Sequence, residues 1–284
     1  MITKMRKSFW ILLIGTNLFA QVIDTVLTDL TVSGKTAVRT ITAPARMDKR
    51  DGWITALVVG GIGTTMLFDH SLRSTFQKNQ SKFGDQLFQI QDYYAEPKIS
   101  AGLAFSLYGT GFFFNKSKWR ETGILLAGAQ ILNANLTVIF KSAFGRTRPF
   151  REQGNHQFHF LETSFDRTSF PSGHTSNAFA FTTVLAHQID WMPATIFLYS
   201  CASAVGLARI YHDQHWFSDV VGGAVLGTMS SNWVIRFYQE TKRSKHPLIS
   251  DLAGLPKTCQ VVSTAVVYIL KDGMELTGKT KQVR

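Results

Sequence analysis

The chain has 284 residues, with 30 Lys and Arg against 19 Asp and Glu, a net charge of +11 and 45% hydrophobic residues. Its 22 glycines and 7 prolines are too few for a disordered or low-complexity chain, and its two cysteines form no C-x-x-C pair of the zinc or thioredoxin kind. The basic balance suits an anionic partner such as a phosphate ester or an anionic lipid surface; no motif supports nucleic-acid binding.

At the N-terminus, Lys4, Arg6 and Lys7 precede the apolar run 9–19, and Ala20 follows it. This pattern predicts a signal peptide or an N-terminal anchor over residues 1–20, hence export to the periplasm or cell envelope. Residues 21–52 are polar and rich in Thr, Lys and Arg, and read as an extended lead-in with room for one helix. Apolar runs then recur at 53–68, 99–114, 121–140, 175–189, 194–208 and 219–237. None alternates as a half-buried strand does, so each predicts a helix, and the expected fold class is all-α, a helical bundle. Two connections, 141–174 and 209–218, hold most of the unusual polar residues and are expected to converge on one end of the bundle. Residues 241–284 form a basic C-terminal tail.

Membrane crossing is finely balanced at this level. A span needs about 20 predominantly apolar residues, and mean hydropathy is only +0.02. Gln130, Asn133 and Asn135 interrupt the run 121–140, and Asp219, Ser230, Ser231 and Asn232 interrupt 219–237. If all six runs crossed after an exported N-terminus, the basic stretches 115–120 and 242–245 would lie outside, against the positive-inside tendency. The expectation leans slightly toward a soluble or peripheral exported bundle over a membrane-embedded one.

Three segments carry chemistry. The first is Lys141-Ser-Ala-Phe-Gly-Arg-Thr-Arg148-Pro149. Lys141 and Arg148 are two helical turns apart and would share a face, with Arg146 closer to the opposite side. Pro149 biases Arg148 out of helical dihedrals, which predicts the helix end there. Alone, this segment is equally a solvated basic helix terminus. The second, Ser169-Phe-Pro-Ser172-Gly173-His174, precedes an apolar run and predicts a helix start, where free N–H groups favour anions. An ordinary N-cap with an incidental histidine reads almost as well. The third runs from Arg209 to Asp219. His215 and Asp219 stand at i and i+4, neighbours if helical. A carboxylate on one ring nitrogen makes the other a better nucleophile. A surface His–Asp pair remains open. A metal bound by His212 and His215 is disfavoured, because the nearby Lys and Arg would repel a cation.

Together the segments resemble the type 2 phosphatidic acid phosphatase superfamily (PAP2), whose members include bacterial acid phosphatases, lipid phosphatases and vanadium haloperoxidases. The family pattern is K-x6-R-P, then P-S-G-H, then S-R-x5-H-x3-D. This chain supplies Lys141, Arg148 and Pro149; Pro171, Ser172, Gly173 and His174; and Arg209, His215 and Asp219, with Ala208 in place of the usual serine. The resemblance covers about residues 95–240 within a catalytic domain expected over 53–240. It implies a phosphatase acting on phosphate monoesters or pyrophosphates, lipid phosphates weakly favoured by the abundant Phe, through a phosphohistidine. His215 would be the nucleophile, His174 the general acid and Asp219 the group orienting His215. Lys141, Arg148, Ser172, Gly173 and Arg209 would hold the phosphate, with no metal and no cofactor. A haloperoxidase using the same cradle for vanadate and a non-catalytic anion- or membrane-binding protein are the competing expectations.

Overall fold

The computed structural model describes residues 23–43, 49–94 and 96–243. The signal segment 1–20 and all but the first residues of the tail 241–284 lie outside the described residues. The chain divides into two compact units, one within 47–236 and the other combining the chain before 47 with that from 237 onward. In the smaller unit the lead-in forms the one helix it had room for: residues 23–42 are α1. It buries Val38, Thr36, Thr40 and Thr42, and Arg39 stands 3.9 Å from Glu240.

All six apolar runs of the larger unit are helical. They are α2 (Lys49–Thr65), α5 (Pro97–Phe113), α6 (Ser117–Phe144), α7 (Gly173–Ile189), α8 (Met192–Tyr211) and α9 (Phe217–Arg243). Two shorter, polar helices without a strong apolar signal lie between: α3 (Asp69–Lys78) and α4 (Lys82–Leu87). Among the described residues there is no strand, only an isolated antiparallel bridge between Arg146 and Phe158. The ends follow local chemistry. Glu96 caps α5, accepting from Lys98 N at 2.7 Å with Pro97 beside it. Pro193 opens α8. Gly145 ends α6 in the left-handed conformation at φ 54, where an added Cβ would meet His159 O at 1.6 Å.

The helix α6 therefore stops at Phe144, not at Arg148. Lys141 and Arg148 are not partners on one helical face; they come from a helix end and from the extended segment beyond it.

Three helical stretches are long and apolar enough to cross a membrane: Lys49–Lys78, Ser117–Phe144 and Met192–Tyr211. The polar residues that counted against spanning point mostly inward. Asn133 donates to Ser176 Oγ at 3.2 Å, Gln130 to Asn177 O at 3.4 Å, and Ser231 to Ala180 O at 3.0 Å. Asp219 and Ser230 are fully buried; Asn232 is exposed. Much of what faces outward is apolar: Trp53 and Leu57 on α2, Ile131 and Val138 on α6, Ile196 and Phe197 on α8, each at least 61% exposed. A bundle with hydroxyls and amides between its helices and an aliphatic and aromatic exterior is built for an apolar surrounding, where buried polar groups must pair internally. The preference for a soluble bundle loses its main support here.

The most buried helix is α7. Glycines let α9 press against it: a Cβ on Gly223 would fall 2.5 Å from Ser172 O, and one on Gly227 2.1 Å from Ser176 O. Gly227→Leu is expected to destabilise the protein by about 1–3 kcal/mol through overpacking. Thermal unfolding in detergent measures this, and an unchanged midpoint would contradict the close approach.

Candidate active site

Four chain segments meet where α6 and α8 end and α7 and α9 begin. The centre is the guanidinium of Arg146, 1% exposed. Its Nη1 donates to Asp219 Oδ1 at 2.6 Å and to Ser218 Oγ at 2.7 Å. Its Nη2 donates to Asp69 Oδ2 at 2.7 Å, and both Nε and Nη2 donate to Asn155 O, at 3.0 and 2.6 Å. Asp69, the first residue of α3, also accepts from Ser218 N at 2.8 Å and from Asn155 Nδ2 at 3.2 Å. Both carboxylates are completely buried. One cation thus ties α3, the segment after α6 and the start of α9.

Asp219 is held on every side. Besides Arg146, its Oδ2 accepts from Ser169 Oγ at 2.5 Å and from Trp216 N at 2.9 Å, and its own carbonyl accepts from Ser172 N at 2.9 Å. His215 does not lie on a helix with it. The imidazole comes from the turn between α8 and α9, whose backbone is fastened by Gln214 N and His215 N donating to Arg209 O at 3.0 and 3.2 Å. His215 Nδ1 lies 3.6 Å from Asp219 Oδ2, longer than a hydrogen bond, and 3.4 Å from Ser169 Oγ. Ser169 Oγ therefore completes a triangle with the two, a place its sequence context does not announce.

The other ring nitrogen faces the cations. His215 Nε2 is 3.4 Å from Arg148 Nη1. A guanidinium can only donate, so Nε2 is the acceptor nitrogen and Nδ1 carries the proton toward Ser169 and Asp219. Burial pushes this imidazole well below the ordinary histidine range; Asp219 pulls it back up, while Lys141 and Arg148 push it further down. The result is a neutral ring with its free lone pair aimed at a cationic cradle. Arg148 is brought down to about 10, chiefly by burial, with Asp219 opposing. Its Nε donates to Phe165 O at 2.8 Å, its Nη1 to Gln214 O at 3.1 Å, and its guanidinium carbon lies 4.0 Å from the centre of the Phe165 ring.

Lys141, in the last turn of α6, donates to Thr168 O and lies within Coulombic reach of Arg148, Arg209 and Asp219. It also overlies the start of α7, since a Cβ on Gly173 would stand 3.6 Å from Lys141 Cε. Arg209 occupies the last turn of α8. Ser172 is the N-cap of α7, with its hydroxyl 2.9 Å from Thr175 Oγ1. His174 is the exposed second residue of α7, directly after Gly173. The three predicted segments are thus gathered at one end. Asp69, Arg146, Asn155, Ser169 and Ser218 join them unforeseen. Asp69 had one faint signal: it is the lone carboxylate between residues 52 and 84, placed directly after an apolar run.

Removing one partner from a buried, hydrogen-bonded ionic cluster leaves uncompensated charge, so Arg146→Ala is expected to cost about 3–5 kcal/mol. Denaturation of the purified variant measures it, and a loss below about 1 kcal/mol would show that Arg146 does not hold the site together. For His215, NMR titration of labelled histidines, assigned with His215→Asn, should give a midpoint below 6.5, the ordinary value. A midpoint above it would mean that burial and the cations do not govern this ring.

A family model described as the PAP2 superfamily matches residues 103–243. The chain is 30% identical over 191 residues to the lipid A 1-phosphatase of Porphyromonas gingivalis, an overlap of 62% of this chain and 38% of that protein. It is 30% identical over 146 residues to phosphatidylglycerophosphatase B of Bacillus subtilis, covering 48% of this chain and 67% of that protein. Among solved structures, Aquifex aeolicus LpxE overlays 60% of this chain and 95% of its own at 25% identity, with a TM-score of 0.47. The chain thus spans well under half the length of the first of these relatives and about two thirds of the second.

Proposed function

Because this chain belongs to the PAP2 superfamily, we propose that it is a membrane-embedded phosphatase of the cell envelope that hydrolyses lipid phosphate monoesters or pyrophosphates through a phosphohistidine. The observation that carries this reading is the orientation of His215. Its neutral Nε2 faces Arg148, and its Nδ1 faces Ser169 and Asp219. The lipid substrate is favoured by the apolar exterior of the bundle and by the names of both matched relatives, each a phosphatase of a lipid. Those names also favour phosphoryl transfer over haloperoxidase chemistry.

In the proposed reaction Lys141, Arg148 and Arg209 hold the phosphoryl oxygens, with the Ser172 hydroxyl and Gly173 N–H as further donors. Charge shared over those oxygens in the transition state is stabilised by groups already in place. His215 Nε2 attacks phosphorus in line. The bond from phosphorus to the leaving oxygen breaks, and His174 gives that oxygen a proton. The positive charge on the phosphorylated imidazole is balanced through Nδ1 by Asp219. His174, now neutral, then takes a proton from water as it attacks phosphorus. The P–N bond breaks, and inorganic phosphate and neutral His215 are restored.

His215→Ala is expected to abolish both turnover and the acid-labile phosphoenzyme trapped by rapid quench. His174→Ala should lose roughly 10²–10⁴-fold on alkyl phosphates and much less on p-nitrophenyl phosphate, whose leaving group needs no proton. Persistent activity in the first variant, or equal losses for both leaving groups in the second, would overturn the assignment.

A further inference from the structure

The loop between α6 and α7 ends in an unusual tip. Phe160 and Leu161 are consecutive and 74% and 85% exposed. Leu161 is held at φ 62, a left-handed conformation that residues bearing a Cβ disfavour. The turn is not free to relax. His159 N donates to Gly145 O at 2.9 Å and Glu162 N to Ser142 O at 3.1 Å, so it is clasped to the last turn of α6. On α6 itself the outward residues near that end, Val138 and Ile139, are 63% and 59% exposed. Phe160 and Leu161 are held by this clasp just past the end of that helix.

Length sets the depth. The 28 residues of α6 span about 42 Å at about 1.5 Å per residue, against a hydrocarbon core of about 30 Å. The end of α6 therefore stands a few ångströms into the headgroup layer, the depth at which apolar side chains of interfacial segments are buried. Charged groups flank the tip: Glu162 pairs with Arg167 at 3.0 Å, and Arg151 pairs with Asp166. The same loop reaches the cradle through Phe165, whose ring lies against Arg148.

We propose that residues 159–162 form an interfacial wedge, with Phe160 and Leu161 inserted into the lipid surface beside the cradle, and that it brings bilayer-borne phosphate esters to Arg148. This rests on the membrane-embedded phosphatase reading. The test uses the full chain in vesicles carrying long-chain phosphatidate, with p-nitrophenyl phosphate as a soluble substrate. Phe160→Ser combined with Leu161→Asn, Asn being tolerant of the left-handed backbone, should lower activity on the vesicle lipid about tenfold or more while leaving the soluble ester within about twofold. Unchanged activity on lipid, or equal losses on both substrates, would overturn the wedge. A second measurement does not depend on that variant. A nitroxide on Leu161→Cys, with Cys201 and Cys259 replaced by Ser, should collide more with oxygen than with a soluble nickel chelate. The reverse order would also overturn it. The same label on Phe197→Cys, on the outer face of α8, separates the two readings. If Phe197 is oxygen-accessible and the unaltered chain is active but Leu161 favours the chelate, the wedge alone fails. If Phe197 also favours the chelate, or the unaltered chain has no phosphatase activity, the underlying reading fails.

Discussion

The site depends on one buried cation shared between two buried carboxylates. Arg146 bonds Asp69 and Asp219 at 2.7 and 2.6 Å with none of the three in contact with water. Burying three charges is expensive, and an apolar replacement of equal volume often serves stability as well. The arrangement is intelligible as positioning. In the proposed reaction Asp219 stays ionised and fixed while the ring beside it gains and loses charge. Arg146, Ser169 and Trp216 N together occupy its lone pairs, leaving it little freedom to turn. The same guanidinium brings Asp69 of α3 against the start of α9, so the helix before the catalytic body is bound into it through the site.

The polarity of the bundle is ordered from inside to outside. Asn133, Thr137 and Ser176 meet at one point between α6 and α7, and Tyr94, Thr182 and Leu198 O meet at another. The polar side chains in these clusters lower the average hydropathy while their hydroxyls and amides are paired between helices. A chain can therefore average near zero and still present an exterior suited to lipid, because hydropathy sums over residues without regard to which way they point.

That explains how far the sequence could be read. The six helices were legible because apolar runs of that length without alternation have few other uses, and the cradle was legible because three motifs recur in order. Position within the run was less so. Pro149 points to a helix end at Arg148, but Gly145 ends α6 earlier, since a left-handed glycine stops a helix at once while a proline constrains only the residue before it. Arg146 was set aside because helical spacing was continued past that stop. Asp69 lies 149 residues from Ser218, to which it is bonded, and no local pattern announces a partner at that distance. The i, i+4 spacing of His215 and Asp219 suggests a helical pair; the two do come to 3.6 Å, but from a turn and a helix start, with Ser169 joining them from a segment about fifty residues away.

One feature of the cradle bears on its economy as a catalyst. Its donors are already engaged by the protein's own carbonyls: Lys141 with Thr168 O, Arg148 with Phe165 O and Gln214 O. On the proposed function, an arriving phosphoryl group must share or displace these acceptors, so association is an exchange of hydrogen bonds and yields only the difference between old and new partners. On that reading the site trades tightness for traffic: each new hydrogen bond replaces an old one, so substrate arrives and product leaves without a deep well to climb from.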